Sequence, residues 1–322
     1  MTDIIAADIG GTNARFARAT LDAQGVPTLG TVRKYKVADY ASLQACWAAF
    51  RQDEGGDLPR AASIAFATAI GREVIKLTNS SWMIRPETLD EDLGVDQLKL
   101  VNDFEAVAHA VSRLPRDNLP LLFGEDHPFP RDGGVTILGP GTGLGVAMIA
   151  YDDGVPHAIA TEGGHLDWAP LDALEGKILD YLRDKFLRVS TERIVSGPGL
   201  NNLYKAMATI GHERVVLMDD AELWQTALDG NEPFARTVLE RFCLSYGSVA
   251  GDLALAQGPH TVVLAGGLTQ RMRDFLLQSG FHERFTAKGR FQSLMAQVPI
   301  RLAVHDEIGL YGAAAAYREK TA

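Results

Sequence analysis

Asp8 closes a short apolar run, Ile4-Ile5-Ala6-Ala7, and is followed at once by Ile9-Gly10-Gly11-Thr12-Asn13. A second glycine-rich stretch, Leu138-Gly139-Pro140-Gly141-Thr142-Gly143-Leu144-Gly145, also runs on into an apolar segment. Glycine lets a ligand approach the backbone N–H groups closely and threonine adds a hydroxyl, so each stretch could hold phosphate oxygens as a strand–turn–strand hairpin. Two facing hairpins could clamp one triphosphate. An acid beside such amides makes sense if it handles a cation, because Mg²⁺ needs only one or two carboxylates when water and phosphate oxygens complete its shell. The competing reading of Asp8 is a turn aspartate that accepts from nearby backbone N–H groups.

A third group sits at Leu98-Lys99-Leu100-Val101-Asn102-Asp103, where an apolar run gives way to an amphipathic pattern carrying Phe104, Val107 and Val111 on one face. Asn and Asp are favoured helix N-caps, so the pair Asn102-Asp103 is expected at such a junction with no catalysis at all. Its competitor is a general base at the carboxyl edge of a sheet, where open α/β folds place their ligands. The two duties could be divided between the neighbours. Glu162, His165 and Glu192 add polar groups in turn contexts. Carboxylates accept and imidazole both donates and accepts, so the vicinal hydroxyls of a polyol could be read in pairs. A metal reading of Glu162 and His165 finds no further His or Cys at ligand spacing, and Glu192 has a salt-bridge alternative beside Arg193.

The other glycine clusters, at 161–168, 196–204 and 264–271, read singly as tight turns at strand ends. Together with the two hairpins they argue for a cleft lined by backbone N–H groups. Two familiar nucleotide templates fail. No Gly-Lys satisfies G-x-x-x-x-G-K-[ST], and Gly139, Gly141, Gly143 and Gly145 have the wrong spacing for G-x-G-x-x-G and lead into a strand, not a helix.

These groups need a scaffold. Apolar runs at 4–9, 61–67, 98–102, 134–138, 145–151, 260–265 and 299–304, many rich in Val and Ile, read as strands. Leu171, Leu174, Ile178, Tyr181, Leu182 and Phe186 share one face of a helix expected over 170–187, with Pro170 at its first position. Phe234, Val238, Phe242, Tyr246, Val249 and Leu253 mark a second, over 233–257. Alternating strands and helices give a mixed α/β architecture. At 322 residues, 46% hydrophobic and 22% charged, the chain is long enough for two packed domains. The Pro- and Gly-containing interval 118–134 marks passage into the second, and a last helix over 308–319 is expected to return to the first.

A net charge of −10 with no basic stripe speaks against nucleic acid as a partner. The acidic start of the chain carries no export signal, and no apolar stretch approaches the ~20 residues that span a bilayer, so a cytosolic protein without membrane insertion is expected. Cys46 and Cys243 are far apart and supply neither a disulfide framework nor a thiolate zinc site. Asn79-Ser80-Ser81 matches the glycosylation acceptor pattern by chance in a chain with this expected location.

Six segments, DIGGTNARFA (8–17), LVNDFEAVAHA (100–110), LGPGTGLGVA (138–147), EGGHLDWAP (162–170), the stretch 190–204 and AGGLTQR (265–271), resemble in this order the bacterial glucokinases of the hexokinase/actin/Hsp70-like ATPase superfamily. The resemblance covers essentially the whole chain. It implies two RNase H-like α/β domains around a central cleft, a small one over 1–110 plus 303–322 and a large one over 111–302, commonly in a homodimer. It implies Asp103 as the base, and Asn102, Glu162, His165 and Glu192 as the groups that hold the sugar. Ala7, Asp8, Ile9, Gly10, Gly11, Thr12, Gly141, Thr142 and Gly143 would line the phosphates of ATP, with Gly266 and Gly267 near the adenosine and Asp8 reaching Mg²⁺ through water.

The sequence departs from the family's pattern in places. Ala7 stands where many members have glycine, and Thr68-Ala69 replaces an expected small residue and proline on the sugar side. The related ROK sugar kinases carry a cysteine-rich zinc motif, which two distant cysteines cannot supply. The expected reaction is transfer of the ATP γ-phosphoryl group to the 6-hydroxyl of D-glucose, with sugar-driven closure about segments near Val111 and Gly309. Its rivals are a kinase for mannose, fructose or an N-acetylated hexosamine, a sugar- or ATP-binding regulator without turnover, and a chaperone-like ATPase.

Overall fold

The computed structural model describes the chain except residues 69, 71–72, 78–79, 215 and 318–322. Ala69 and Asn79, singled out above, and the expected end of the last helix at Glu319 lie outside the described residues. The chain divides into two compact units, Met1–Pro115 with His305–Ala322 and Arg116–Val304.

The first unit is built on β1 (Thr2–Ile9), β2 (Asn13–Leu21), β3 (Pro27–Leu29), β4 (Arg33–Lys36), α1 (Leu43–Asp53), β5 (Ala61–Phe66), β6 (Ile75–Lys76), β7 (Met83–Ile84), α2 (Leu89–Leu93), β8 (Gln97–Asn102) and α3 (Asp103–Val111). Its main sheet runs β3-β2-β1-β5-β8, with β4 also on β2. The β1–β2 and β2–β3 pairs are antiparallel, and β5 and β8 then add in parallel. Strand β1 is covered on both faces, which is why it reads as an unbroken apolar run. Ile5, Ala7 and Ile9 pack into the core that α1 seals with Cys46, Trp47 and Phe50, while Ile4 and Ala6 face a second cluster with Leu310 and Ala314. Period-two alternation puts Asp8 on the Ile4–Ala6 side.

The second unit contains β9 (Leu121–Phe123), β10 (Gly133–Pro140), β11 (Leu144–Asp152), β12 (Val155–Thr161), α4 (Ala173–Phe186), α5 (Gly197–Gly211), α6 (Asp220–Asp229), α7 (Pro233–Gln257), β13 (Thr261–Leu264), α8 (Gly267–Arg271), α9 (Arg273–Gln278), α10 (Phe281–Thr286), α11 (Gln292–Gln297) and β14 (Ile300–Leu302). Its sheet runs β12-β11-β10-β13-β14-β9. Again three antiparallel strands come first and two parallel strands follow, so the two units repeat one topology without a short sequence repeat. The last helix, α12 (Ile308–Ala315), belongs to the first unit. It lies so close to α3 that a Cβ on Gly312 would sit 1.8 Å from the Ala106 carbonyl oxygen.

All seven strands expected from apolar runs are present, and α7 has the expected ends. Two local readings change. Helix α4 begins at Ala173, not Pro170, because the Asp172 carboxylate accepts the Glu175 N–H at 2.8 Å and caps the helix. The same Asp172 and the buried Glu175 then meet Arg241 of α7 and Arg284 of α10 in a four-residue ion cluster. The glycines of the 196–204 stretch do not make a strand-end turn. Ser196 caps α5, its hydroxyl accepting from Gly199 N–H at 3.1 Å, and Gly197-Pro198-Gly199 form the helix's first turn.

Candidate active site

In the first unit, Ile9 pairs with Ala14 at the end of the β1–β2 ladder, and Gly10 N–H closes the turn onto Asn13 O at 2.9 Å. Thr12 is exposed at the tip and Gly10 and Gly11 are half-buried. The side chains of Ala7 and Ile9 are fully buried in the core, so at these two positions only the backbone is left for a ligand. Asp8 sits opposite Arg15 in the register. Its Oδ2 accepts from Arg15 Nη1 at 3.1 Å, and Arg15 Nε lies 3.1 Å from Glu307, which also pairs with Lys34 at 2.5 Å. The Asp8 carboxyl is 20% exposed. Burial pushes its pKa above the ordinary aspartate value; the Arg15 charge and hydrogen bond pull it back, and Glu307 adds to the rise. Gly309, in the first turn of α12, allows this arrangement, since a Cβ there would stand 3.0 Å from Asp8 Oδ2. The helix N-terminus thus faces a carboxylate, the favourable sign for its dipole.

Asn102 and Asp103 divide their duties. Asn102 Oδ1 accepts from Phe104 N–H at 2.9 Å and Glu105 N–H at 3.3 Å, and Glu105 returns a 3.4 Å contact to Asn102 N–H, a complete capping box. Asn102 Nδ2 donates to Thr68 O at 3.2 Å. Both acceptor sites of the amide oxygen are used, which leaves Asn102 one N–H to offer a ligand. Asp103 is the first helical residue, half-buried, with Oδ1 accepting from Phe104 N–H at 2.9 Å. Cap duty therefore falls to Asn102, at the carboxyl end of parallel strand β8.

In the second unit, Pro140 pairs with Leu144, and Gly141 N–H closes the β10–β11 turn onto Gly143 O at 2.7 Å. Gly141 and Thr142 are exposed, and a Cβ on Gly141 would meet nothing within 4 Å, so the tip is open to a ligand. Glu162 precedes a short 3₁₀ turn that brings His165 back, with Nε2 3.8 Å from Glu162 Oε2 and the two side chains 56% and 67% exposed. Glu192 lies in a second 3₁₀ turn, Thr191–Arg193. Its Oε2 accepts from Leu144 N–H at 3.0 Å, so its partner is the hairpin and not the neighbouring Arg193. Gly266, with φ of 89°, starts α8 beside the Pro140 carbonyl, and Gly267 opens on free space.

Among the described residues no cluster of three or more His, Cys, Asp and Glu side chains could hold a metal. A cation held by Asp8 would need ligand oxygens and water to complete its shell, a donor set that suits Mg²⁺ and not zinc. Cys46 and Cys243 are buried and free, and burial pushes the Cys46 thiol up to about 12, which removes it as a nucleophile.

Comparison with known proteins covers the whole chain. The family model described as Glucokinase matches residues 5–320. The chain belongs to the glucokinase family. A glucokinase of Zymomonas mobilis is 51% identical over 99% of this chain and 98% of that protein, and one of Stenotrophomonas maltophilia is 38% identical over 97% and 94%. A solved glucokinase from an Antarctic psychrotroph superposes with a TM-score of 0.86 at 34% identity, covering 98% of each chain. The glucokinase of Balamuthia mandrillaris, solved with glucose, matches in fold with a TM-score of 0.79 at 20% identity over 97% of this chain and 92% of that one. The fold class is the one expected, mixed α/β of the actin-like ATPase type. Sequence reasoning missed Arg15, Lys34 and Glu307 around Asp8. Arg15 could have been found by counting the hairpin register, but Glu307 carries no local signal.

Proposed function

We propose that this glucokinase-family protein transfers the γ-phosphoryl group of ATP to the 6-hydroxyl of D-glucose. The observation that carries the reading is the placement of Asp103 immediately after a residue that takes over the helix cap, in a chain that also holds two open glycine hairpins. Asp103 accepts the hydrogen bond of the sugar hydroxyl and then its proton. With a loose phosphoryl transition state the proton moves late, so an ordinary carboxylate suffices and most of the rate comes from positioning. Asn102 Nδ2, Glu162, His165 and Glu192 hold the remaining sugar hydroxyls, and the exposed Glu162–His165 pair suits ligand hydroxyls that bridge two groups.

The backbone amides of Gly10 to Thr12 and of Gly141 to Gly143 hold phosphate oxygens, with the Thr12 and Thr142 hydroxyls beside them. Gly266 and Gly267 lie against the adenosine. Asp8 would hold Mg²⁺ through water, which fits a carboxylate that among the described residues belongs to no group of three or more metal-ligating side chains. When bound, that cation neutralises charge on the transferring group. Arg15 opposes the rise in the Asp8 pKa that burial causes.

The protein acts in the cytosol as a homodimer on this reading. Two free buried thiols suit a reducing compartment, and among the described residues no helix is long and apolar enough to cross a membrane. Light scattering on the purified chain tests the dimer. The activity is tested by ADP release across a hexose panel and with no sugar. Glucose-dependent release at a kcat/KM well above that for mannose, fructose and N-acetylglucosamine is expected, and sugar-independent release would replace this reading with a plain ATPase.

A further inference from the structure

The backbone of one residue, Leu144, joins the two recognition elements of the second unit. Its N–H donates to Glu192 Oε2 at 3.0 Å. Its carbonyl oxygen lies so close to the Glu162–His165 turn that a Cβ on Gly164 would sit 2.1 Å away. The segment carrying Glu192 grips the other end of the same hairpin, where Gly197 N–H donates to Gly141 O at 2.7 Å. It also grips the sugar-side turn, because Thr191 donates through Oγ1 to Gly164 O at 2.7 Å and through its N–H to Leu166 O at 2.8 Å. Among the described residues the second oxygen of Glu192, Oε1, takes no hydrogen bond from the protein.

We propose that Glu192 is a positioning residue for the nucleotide hairpin as well as a sugar ligand, and that glucose and nucleotide recognition are coupled through its carboxylate. This rests on the functional reading above. Oε2 fixes the Gly141–Leu144 turn, and Oε1 remains for a sugar hydroxyl. A sugar that orients the carboxylate through one oxygen orders the hairpin held by the other, so each ligand tightens the other by the same factor.

Gly143 supplies a test that leaves Glu192 chemically intact. A Cβ at Gly143 would fall 2.3 Å from Glu192 Oε2, and since the obstructing atom is the end of a flexible side chain, Gly143→Ala displaces the carboxylate without obstructing the fold. The experiment measures binding of a non-hydrolysable ATP analogue with Mg²⁺ to the full chain, with and without glucose, together with the KM for glucose. Wild type is compared with Glu192→Ala, Glu192→Gln and Gly143→Ala. Glu192→Ala is expected to weaken the analogue about tenfold in the absence of glucose, the effect of one lost charge-assisted hydrogen bond. Glu192→Gln keeps an acceptor for Leu144 and holds the analogue within about threefold of wild type while its glucose KM rises. Gly143→Ala raises the glucose KM about tenfold although the substitution lies in the phosphate hairpin, and it abolishes the tightening of the analogue by glucose. Unchanged analogue affinity in Glu192→Ala without sugar, or an unchanged glucose KM in Gly143→Ala, overturns the coupling while leaving glucose phosphorylation by wild type standing. A wild type that turns over no glucose overturns the functional reading instead, and the coupling with it.

Discussion

The two glycine hairpins share a backbone plan and differ in what surrounds it. Each joins antiparallel strands at the head of a sheet whose remaining core strands are parallel, and each closes its turn with one N–H to carbonyl bond. Three residues before the Gly-Thr pair, however, the first has Asp8 and the second has the fully buried Leu138. The first hairpin carries charge, with Asp8, Arg15, Glu307 and Lys34 in a chain of ion pairs. The second has an apolar stem and is held from outside by Glu192 and Gly197. One topology thus supports two trades. On the proposed reading the first unit supplies the acids that do chemistry, Asp8 and Asp103, together with Asn102 as a sugar contact, and the second supplies the acids that recognise, Glu162 and Glu192.

This division can be broken from either side. The largest effect is expected from Asp103→Asn, which removes the base and lowers kcat by about 10³; a loss appearing in KM instead would move Asp103 to the recognising side. Asp8→Asn is expected to lower kcat/KM for MgATP by about 10² and to leave the glucose KM near wild type. The same variant sharpens the contrast through stability. Because the folded pKa of Asp8 is raised by burial, the folded state holds its proton more tightly, so the cost of ionising Asp8 is absent below the unfolded value and complete above the folded one. Asp8→Asn removes that cost at neutral pH, and a thermal melt no lower than wild type accompanies the lost activity.

On the recognising side, Glu162→Gln is expected to raise the glucose KM about tenfold with kcat within about threefold, because one acceptor of sugar hydroxyls is weakened and no reacting group is touched. The smallest effect is that of Arg15→Gln. Arg15 opposes the rise of the Asp8 pKa, so its loss moves the acid limb of the kcat/KM profile for MgATP to higher pH. An acid limb that stays in place, or moves down, separates Asp8 from the metal.

The comparison also explains which parts could be read in advance. Core strands such as β1 and β10 are buried on both faces, so their apolar runs and the glycines that end them stood out in the sequence. Helix α7 was legible from Pro233 to Gln257 because a long periodic face is a strong signal. Strand β12 was not, since it is an edge strand carrying Pro156 and His157 with a largely exposed pattern. Ser196-Gly197-Pro198-Gly199 looked like a turn because its composition serves turns and helix starts alike. In the site, Asp8 and the Asn102–Asp103 pair announced themselves by residue type. The Asp8–Arg15–Glu307 chain did not, because it joins the two ends of the chain. The grip of Glu192 on Leu144 was hidden as well, since its partner is a backbone N–H that residue type does not reveal.

The central claim, that the reacting acid and the sugar-recognising acids sit on different units, meets its most direct test in one variant examined two ways. Glucose binding to Asp103→Asn, followed by calorimetric titration, is set beside its single-turnover rate of glucose 6-phosphate formation. The account predicts glucose affinity within about threefold of wild type and a transfer rate lower by about 10³. Transfer at near wild-type rate, or glucose affinity lost in step with the rate, would contradict it.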